Sequence, residues 1–160
     1  MRVVVLLCLL CSVAHADTSD VRVVTGYRNG RPIKLRVAPI ESYGWAWAEL
    51  ATARAFRAMQ DAAAGAGLEL NVWSGFRTHE RQIELYAAWR AGYGNPAAKP
   101  GFSNHQSGRA LDLVVRSEQL ATWLAANAKR FGFRRTVIGE PWHWEFVPTR
   151  SRTGTRRPRA

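Results

Sequence analysis

Cysteine is scarce in this sequence, which has 2 in 160 residues, Cys8 and Cys11. Both lie in the N-terminal stretch MRVVVLLCLLCSVAHA, which has a basic second residue, an apolar run and a small-x-small ending. This order is typical of a secretory signal peptide, and we expect cleavage after Ala16. The mature protein would then be exported without a disulfide, so its stability would depend on core packing or on a metal held by His, Asp or Glu.

Long hydrophobic runs are also missing. The apolar part of the N-terminal stretch, residues 3–13, is shorter than the roughly 20 residues that a membrane-spanning helix needs. We therefore expect no stable membrane insertion after cleavage, and a protein that works in the periplasm or outside the cell.

Acidic residues are few, with 12 Asp and Glu against 23 Lys and Arg. Cleavage would remove only one of these charges, Arg2, and leave a net charge of about +10. In an exported protein this excess favours an acidic working surface, for which bacterial cell-wall polymers are better candidates than nucleic acid. Residues 149–160 contain five arginines, and we expect them to form a flexible basic tail.

The remaining residues, 17–148, are enough for one domain with its own core. Asn29-Gly30 between two β-rich runs predicts a hairpin. Periodicity and capping signals predict helices over 41–64, after Thr78 and over 117–130, and strands over 68–73, 109–115, 133–137 and 142–147. Because these elements do not alternate regularly, the pattern predicts an α+β fold with a mostly antiparallel sheet flanked by helices.

Histidine is the residue type that points to chemistry. The mature chain would hold His79, His105 and His143, and Asp112 follows His105 by seven residues. Two imidazoles and a carboxylate form a three-ligand set that leaves one tetrahedral position of a zinc ion open. The spacing leaves a second interpretation open, in which these are ordinary hydrogen-bonded residues. His79, in the first turn of a helix, is predicted to face solvent.

Two further residues could complete a catalytic site. Glu140 precedes His143 by three residues, so its carboxylate could lie beside a metal and take a proton from the attacking water. Arg77, at the end of a predicted strand, could stabilise negative charge on a carbonyl oxygen. Glu140 could instead belong to a simple turn, and Arg77 could instead pair with Glu80 or Glu84.

Three blocks occur in order along the chain: SGFRTHERQIELY, KPGFSNHQSGRALDL and EPWHWEF. Together they resemble the VanY-type zinc D-alanyl-D-alanine carboxypeptidases, which belong to a wider group with lysostaphin-type peptidases and the hedgehog signalling domain. The blocks span residues 74–146, and three matches in order make the resemblance specific. It implies the zinc peptidase fold of that group, one zinc ion per chain and a peptidoglycan stem peptide as the partner.

The resemblance also implies roles for individual residues. Zinc would be held by His105, Asp112 and His143. Glu140 would act as general base and then as proton donor. Arg77 would stabilise the oxyanion and help to hold the substrate.

Other positions in the blocks have implied supporting roles. Ser103 would contact the peptide, and Gln82, in the helix after Arg77, would have a structural role. Gln106 could reach the substrate, with loop packing as the alternative. Trp142 and Trp144 flank a ligand on a predicted strand, so alternation predicts that both face the core.

The expected function is therefore hydrolysis of the terminal D-Ala-D-Ala bond of peptidoglycan stem peptides, by a protein that we take to be a monomer. Two alternatives stay open. One is an endopeptidase with the same zinc site that cleaves an L,D bond or a cross-bridge. The other is a zinc-stabilised wall-binding module without turnover, which would have no use for Glu140 and Arg77.

Overall fold

The computed structural model describes residues 20–43 and 46–148. The predicted signal peptide over 1–16 and the predicted basic tail over 149–160 lie outside the described residues. Within the described part of the chain, no helix has both the length and the apolar character needed to cross a membrane.

The first part of the described chain forms a three-stranded antiparallel sheet. Its strands, in spatial order, are β1 (Arg22–Arg28), β2 (Arg31–Ile40) and β3 (Ala46–Glu49). The predicted hairpin is present, since Arg28 pairs with Arg31 across a two-residue turn. Asn29 and Gly30 both have positive φ, 52° and 77°, which this type of hairpin turn requires and which Asn and Gly adopt most easily.

The helix predicted over 41–64 begins later than expected. Helix α1 spans Leu50–Gly65, while residues 46–49 form strand β3 against the end of β2. Glu49 caps the helix, because its carboxylate accepts a hydrogen bond from the backbone N–H of Thr52 at 3.3 Å. The prediction was wrong here because a short apolar run before a helix continues the same periodicity as the helix.

A second, four-stranded antiparallel sheet carries the candidate site. Its spatial order is β4 (Asn71–Ser74), β5 (Ala110–Val114), β7 (His143–Phe146) and β6 (Phe133–Arg134). The register places Ser74 opposite Asp112, and Asp112 opposite His143. Residues directly opposite one another share a face of the sheet, so these three side chains meet.

Helices α2 (His79–Arg90) and α3 (Glu118–Asn127) begin at the predicted caps, Thr78 and Ser117. Each cap side chain accepts a hydrogen bond from a backbone N–H in the first turn, at 3.2 and 3.1 Å. The helix predicted to continue to 130 ends as α3 and gives way to a 3-10 turn, Ala128–Phe131. Of the strand predicted over 133–137, only two residues pair with β7.

The hydrophobic core joins both sheets to α1 and α3. Its largest fully buried apolar side chains are Ile40, Phe56, Met59, Leu111, Leu124 and Phe133. Along β5, Leu111 and Leu113 point into this core, so Asp112 between them points to the opposite face. The predicted α+β fold is confirmed, with two antiparallel sheets rather than one.

Candidate metal centre and the cleft around it

His105, one of the three predicted metal ligands, lies on a single 3-10 turn, Asn104–Ser107. The turn ends at Gly108, which has φ 67°, and a Cβ at this position would lie 2.6 Å from the backbone nitrogen of Glu49. Glycine is therefore required by both the backbone conformation and the close approach. His105 is buried, and its Nδ1 lies 2.8 Å from the carbonyl oxygen of Gly75. A carbonyl can only accept, so Nδ1 carries the proton and Nε2 is available as a ligand.

Asp112 and His143 are cross-strand neighbours on β5 and β7. Asp112 Oδ1 lies 3.1 Å from His143 Nδ1 and 3.3 Å from His105 Nε2. One ligand atom from each of the three residues lies within 4.8 Å of the others. Ligand atoms of a tetrahedral zinc ion, with bonds of about 2.0–2.1 Å, are about 3.3 Å apart. The donor atoms and their separations therefore fit a single ion of this kind.

The electrostatics of the cluster favour charged side chains. Burial is the largest influence on Asp112 and raises its pKa, but hydrogen bonds from His105 and His143 outweigh it and hold that pKa well below its usual range. Burial likewise lowers the pKa of His143, but its hydrogen bonds to Asp112 and Glu145 raise that pKa to about 9. A cation that binds here therefore competes with a proton on His143.

Glu140 lies beside the cluster, in the loop that leads into β7. Its Oε2 is 3.8 Å from His143 Nδ1, and its backbone carbonyl accepts the N–H of His143 at 3.1 Å. This turn keeps the carboxylate on the ligand side of the sheet. The side chain remains 27% exposed, so its carboxylate faces the open cleft. Glu140 is thus adjacent to the three ligand atoms without being one of them.

Arg77 also lies at the cluster. Its Nη2 is 3.7 Å from Asp112 Oδ2, and its Nη1 donates a hydrogen bond to Gln82 Oε1 at 3.0 Å. Burial lowers the pKa of Arg77, and the Asp112 carboxylate opposes that change. Gln82 is fully buried and so fixes the direction of the guanidinium. Glu84, one of the two alternative partners predicted for Arg77, pairs instead with Arg81 at 2.6 Å.

Ser103 and Gln106 have different positions. Ser103 lines the cleft beside His105, although most of its surface is buried. Gln106 is fully buried, accepts the backbone N–H of Gly101 at 2.6 Å and lies 3.0 Å from His79 Nδ1. The structure thus favours loop packing for Gln106.

His79 is only partly exposed, whereas the sequence predicted that it would face solvent. Its ring stacks on Tyr27 with 4.0 Å between centroids, and its Nδ1 meets the Gln106 amide. The helix pattern alone could not predict this contact, because Tyr27 lies on β1, which is distant in sequence from α2.

The two tryptophans beside His143 occupy different environments. Trp144 lies in the core, as predicted, with 6% of its surface exposed. Trp142 is 41% exposed and lines the cleft. The prediction was wrong for Trp142 because β7 begins at His143, so strand alternation does not extend to the residue before it.

The cleft around the cluster has a volume of about 1200 Å³. Aromatic side chains line it, namely Trp73, Phe76, Trp89, Phe102 and Trp142. Part of one wall is the loop over 94–98, in which the carbonyl oxygen of Ala98 accepts a hydrogen bond from Gln82 Nε2 at 2.7 Å. Gln82 therefore connects this wall to Arg77.

Sequence reasoning missed Glu145. Its Oε1 lies 3.1 Å from His143 Nε2, on the side of the ring away from Asp112. The bond to His143 lowers the pKa of Glu145 to about 2, and the side chains of Asn104 and Thr136 contribute in the same direction. The i, i+2 spacing to a histidine on a predicted strand was the available signal.

A three-ligand cluster with an adjacent carboxylate, open to a large cleft, is the arrangement used by metal-dependent hydrolases. A family model described as VanY, D-alanyl-D-alanine carboxypeptidase, matches residues 47–149. The match covers more than half of the chain, and the chain belongs to this family.

A D-alanyl-D-alanine carboxypeptidase of Enterococcus faecalis (strain ATCC 700802 / V583) is 30% identical over 148 residues. The alignment covers 74% of this chain and 50% of that protein, so the chain spans about half the length of this relative.

Solved structures give the same fold. VanYB in complex with D-alanine-D-alanine superposes with a TM-score of 0.60 at 26% identity, over 78% of this chain and 86% of that one. A mutant of the D,D-pentapeptidase VanY in complex with Zn(II) has a TM-score of 0.60 at 27% identity, over 78% and 87%. The LD-carboxypeptidase LdcB has a TM-score of 0.56 at 28% identity, over 65% and 61%.

Proposed function

We propose that this protein is a zinc-dependent D-alanyl-D-alanine carboxypeptidase that hydrolyses peptidoglycan stem peptides. The observation that carries the proposal is the convergence of His105, Asp112 and His143 within 4.8 Å, with Glu140 3.8 Å from one ligand atom. Family membership supports the activity. The complexes of VanY relatives with D-Ala-D-Ala and with Zn(II) support the substrate and the metal.

The donor set suits zinc, because two imidazole nitrogens and one carboxylate oxygen leave a fourth position free. The bond from His105 to Gly75 places the proton of the neutral ring on Nδ1, so Nε2 is the nitrogen that can bind a metal. Zinc held by these residues would supply a Lewis acid that polarises the scissile carbonyl and acidifies the attacking water.

The chain's own residues would carry the protons and oppose the charge. Glu140 takes a proton from the water while the water oxygen forms a bond to the carbonyl carbon of the peptide. The positive charge of Arg77, 3.7 Å from Asp112, opposes the negative charge that develops on the carbonyl oxygen. Glu140 then gives its proton to the leaving amine nitrogen as the C–N bond breaks. The products are a free D-alanine and a shortened stem.

Two side chains are proposed to hold the substrate. Ser103 lines the cleft two residues before His105, where its hydroxyl would bond to the peptide backbone. Arg77 would also attract the terminal carboxylate, which a carboxypeptidase substrate must present. The aromatic walls would exclude water from the rest of the stem.

The proposed setting is outside the cytoplasm. We propose that residues 1–16 are removed as a signal peptide and that 17–148 form the peptidase domain of a monomer in the periplasm or outside the cell. The excess of basic residues, with 149–160 as a basic tail, would suit the anionic cell wall, and export favours the wall over nucleic acid as the partner.

A second candidate is cleavage of another bond in the stem, as an L,D-peptidase or an endopeptidase. The cleft, with a volume of about 1200 Å³, has room for the longer part of the stem that such cleavage would require. The similarity to the LD-carboxypeptidase LdcB also supports it. A non-catalytic module is less consistent with the position of Glu140.

Mass spectrometry of the products from a stem pentapeptide tests these candidates. The proposal predicts D-alanine release that stops with a chelator and in Glu140→Gln, while that variant still binds zinc. Glu118→Gln is the matched control, because it makes the same chemical change at an exposed position in α3. Larger fragments would favour the second candidate. Zinc binding without any hydrolysis would overturn both enzymatic candidates.

A further inference from the structure

We propose that Glu145 is a positioning residue of the metal centre, which holds the His143 ring with Nδ1 directed at the ion and strengthens the binding of that ion. The inference rests on the proposed zinc-dependent function. It concerns a residue that sequence reasoning did not select.

The geometry of His143 is the first argument. One ring nitrogen, Nδ1, lies 3.1 Å from Asp112 Oδ1, and the other, Nε2, lies 3.1 Å from Glu145 Oε1. When Nδ1 binds a cation it carries no proton, so the single ring proton must be on Nε2. Nε2 then donates to the Glu145 carboxylate, which fixes both the tautomer and the plane of the ring.

Glu145 is itself held in place. It lies two residues after His143 on β7, so both side chains project from the same face of the strand. Its side chain is 14% exposed, and Asn104 and Thr136 interact with its carboxylate. Asn104 immediately precedes His105, so Glu145 connects the segments that carry the two imidazoles.

The two imidazoles are oriented by different kinds of partner. His105 Nδ1 donates to a neutral backbone carbonyl, that of Gly75, at 2.8 Å. His143 Nε2 faces a carboxylate, which adds a negative charge behind the ring. A carboxylate behind a metal-bound histidine makes the ring a stronger donor to the ion. Glu145 is therefore the orienting group that a side-chain substitution can remove.

Two substitutions separate the charge of Glu145 from its hydrogen bond. Glu145→Gln keeps an acceptor oxygen and loses the charge, whereas Glu145→Ala loses both. Loss of such an outer partner typically weakens metal affinity by about 10–100-fold. We expect this range for Glu145→Ala and a smaller loss for Glu145→Gln.

The test is the zinc dissociation constant of the full chain, measured by competition with a chromophoric chelator at fixed pH. The parent and both Glu145 variants are compared with Glu118→Gln, which should bind zinc as the parent does. The visible spectrum of the cobalt-substituted proteins reports the ligand geometry independently, and we expect it to change in Glu145→Ala. If that variant fails to fold, Glu145→Gln decides the outcome.

The possible results separate the two proposals. Weaker zinc binding in the order parent, Gln, Ala, with a changed cobalt spectrum, supports the role of Glu145. Unchanged zinc affinity and an unchanged spectrum in a folded variant overturn it, even if the variant is less stable. If the parent protein binds zinc, the proposed function is unaffected by either result for the Glu145 variants. If the parent binds none, both proposals fail.

Discussion

The two sheets of this protein use their outward-facing positions differently. On β2, Lys34 and Arg36 alternate with the buried Leu35 and Val37, and the exposed positions hold basic side chains in solvent. On β5, Asp112 lies between the buried Leu111 and Leu113 and faces two histidines. The same alternation therefore produces a solvated face in one sheet and a candidate metal centre in the other.

The first sheet nevertheless supports the second. The backbone N–H of Glu49, at the end of β3, donates to the carbonyl of Gly108 at 3.0 Å, and that of Gly30 donates to Gly101 at 2.9 Å. A Cβ on Gly26 would meet the carbonyl oxygen of Gln106 at 2.5 Å. The segment that carries His105 is thus packed closely against the first sheet.

The largest expected effect separates the two outward faces. Asp112→Ala removes one of three proposed ligands and leaves two buried imidazoles. We expect loss of zinc and a fall in D-alanine release on the order of 1,000-fold. Lys34→Ala, at the outward position on β2, should change the rate by less than about twofold. Equal rates for the two variants would contradict the comparison.

The next effect concerns the hydrophobic core that both sheets contribute to. Leu111→Ala would open a cavity in the core, because this side chain is fully buried next to Asp112. We expect a loss of about 2–5 kcal/mol in the free energy of unfolding, measured by urea denaturation of the metal-free protein. Val23→Ala, on the exposed side of β1, should cost less than about 0.5 kcal/mol.

A pair of glycines tests the contact between the sheets. Gly108 and Gly67 both have positive φ, 67° and 71°, but a Cβ would meet Glu49 only at Gly108. Gly67→Ala should therefore report the backbone strain alone, about 1 kcal/mol. Gly108→Ala should cost more and also weaken zinc binding, because the clash displaces the His105 turn. Thermal unfolding and zinc titration measure the two effects, and similar results for both variants would count against the supporting contact.

The smallest effect is a pH dependence of the metal-free protein. The pKa of His143 is raised to about 9 in the folded state from 6.5. Its contribution to stability is therefore fully present below pH 6.5 and is lost as the pH rises through about 9. In chelator-treated protein, we expect Tm to fall over this range, and to fall less in His143→Gln. A Tm that rises between pH 6.5 and 9 would contradict the predicted protonation.

The sequence allowed much of this to be predicted where the signal was local. The Asn29-Gly30 hairpin and the helix caps at Thr78 and Ser117 follow from short patterns. Residue types alone suggested the grouping of His105, Asp112 and His143 but left it open, because no spacing rule connects residues on separate elements. The family resemblance was needed to choose it. The structure brings these three residues together.

Other features depended on tertiary neighbours. Strand β3 was not predicted, because its four residues continue the apolar pattern of α1. The burial of Gln106 and the stacking of His79 on Tyr27 require knowledge of what lies across from each segment. Glu145 was missed because an acidic residue on a short strand indicates no function by itself. Its role can be inferred only once His143, its neighbour on the same face, is identified as a ligand.

X-ray absorption at the zinc edge of the purified protein, together with its zinc content, tests the central claim most directly. We predict one zinc ion per chain, with two imidazole nitrogens and a carboxylate oxygen among its ligands, and loss of that ion in Asp112→Ala. Absence of zinc binding, or an unchanged zinc site in that variant, would contradict the account.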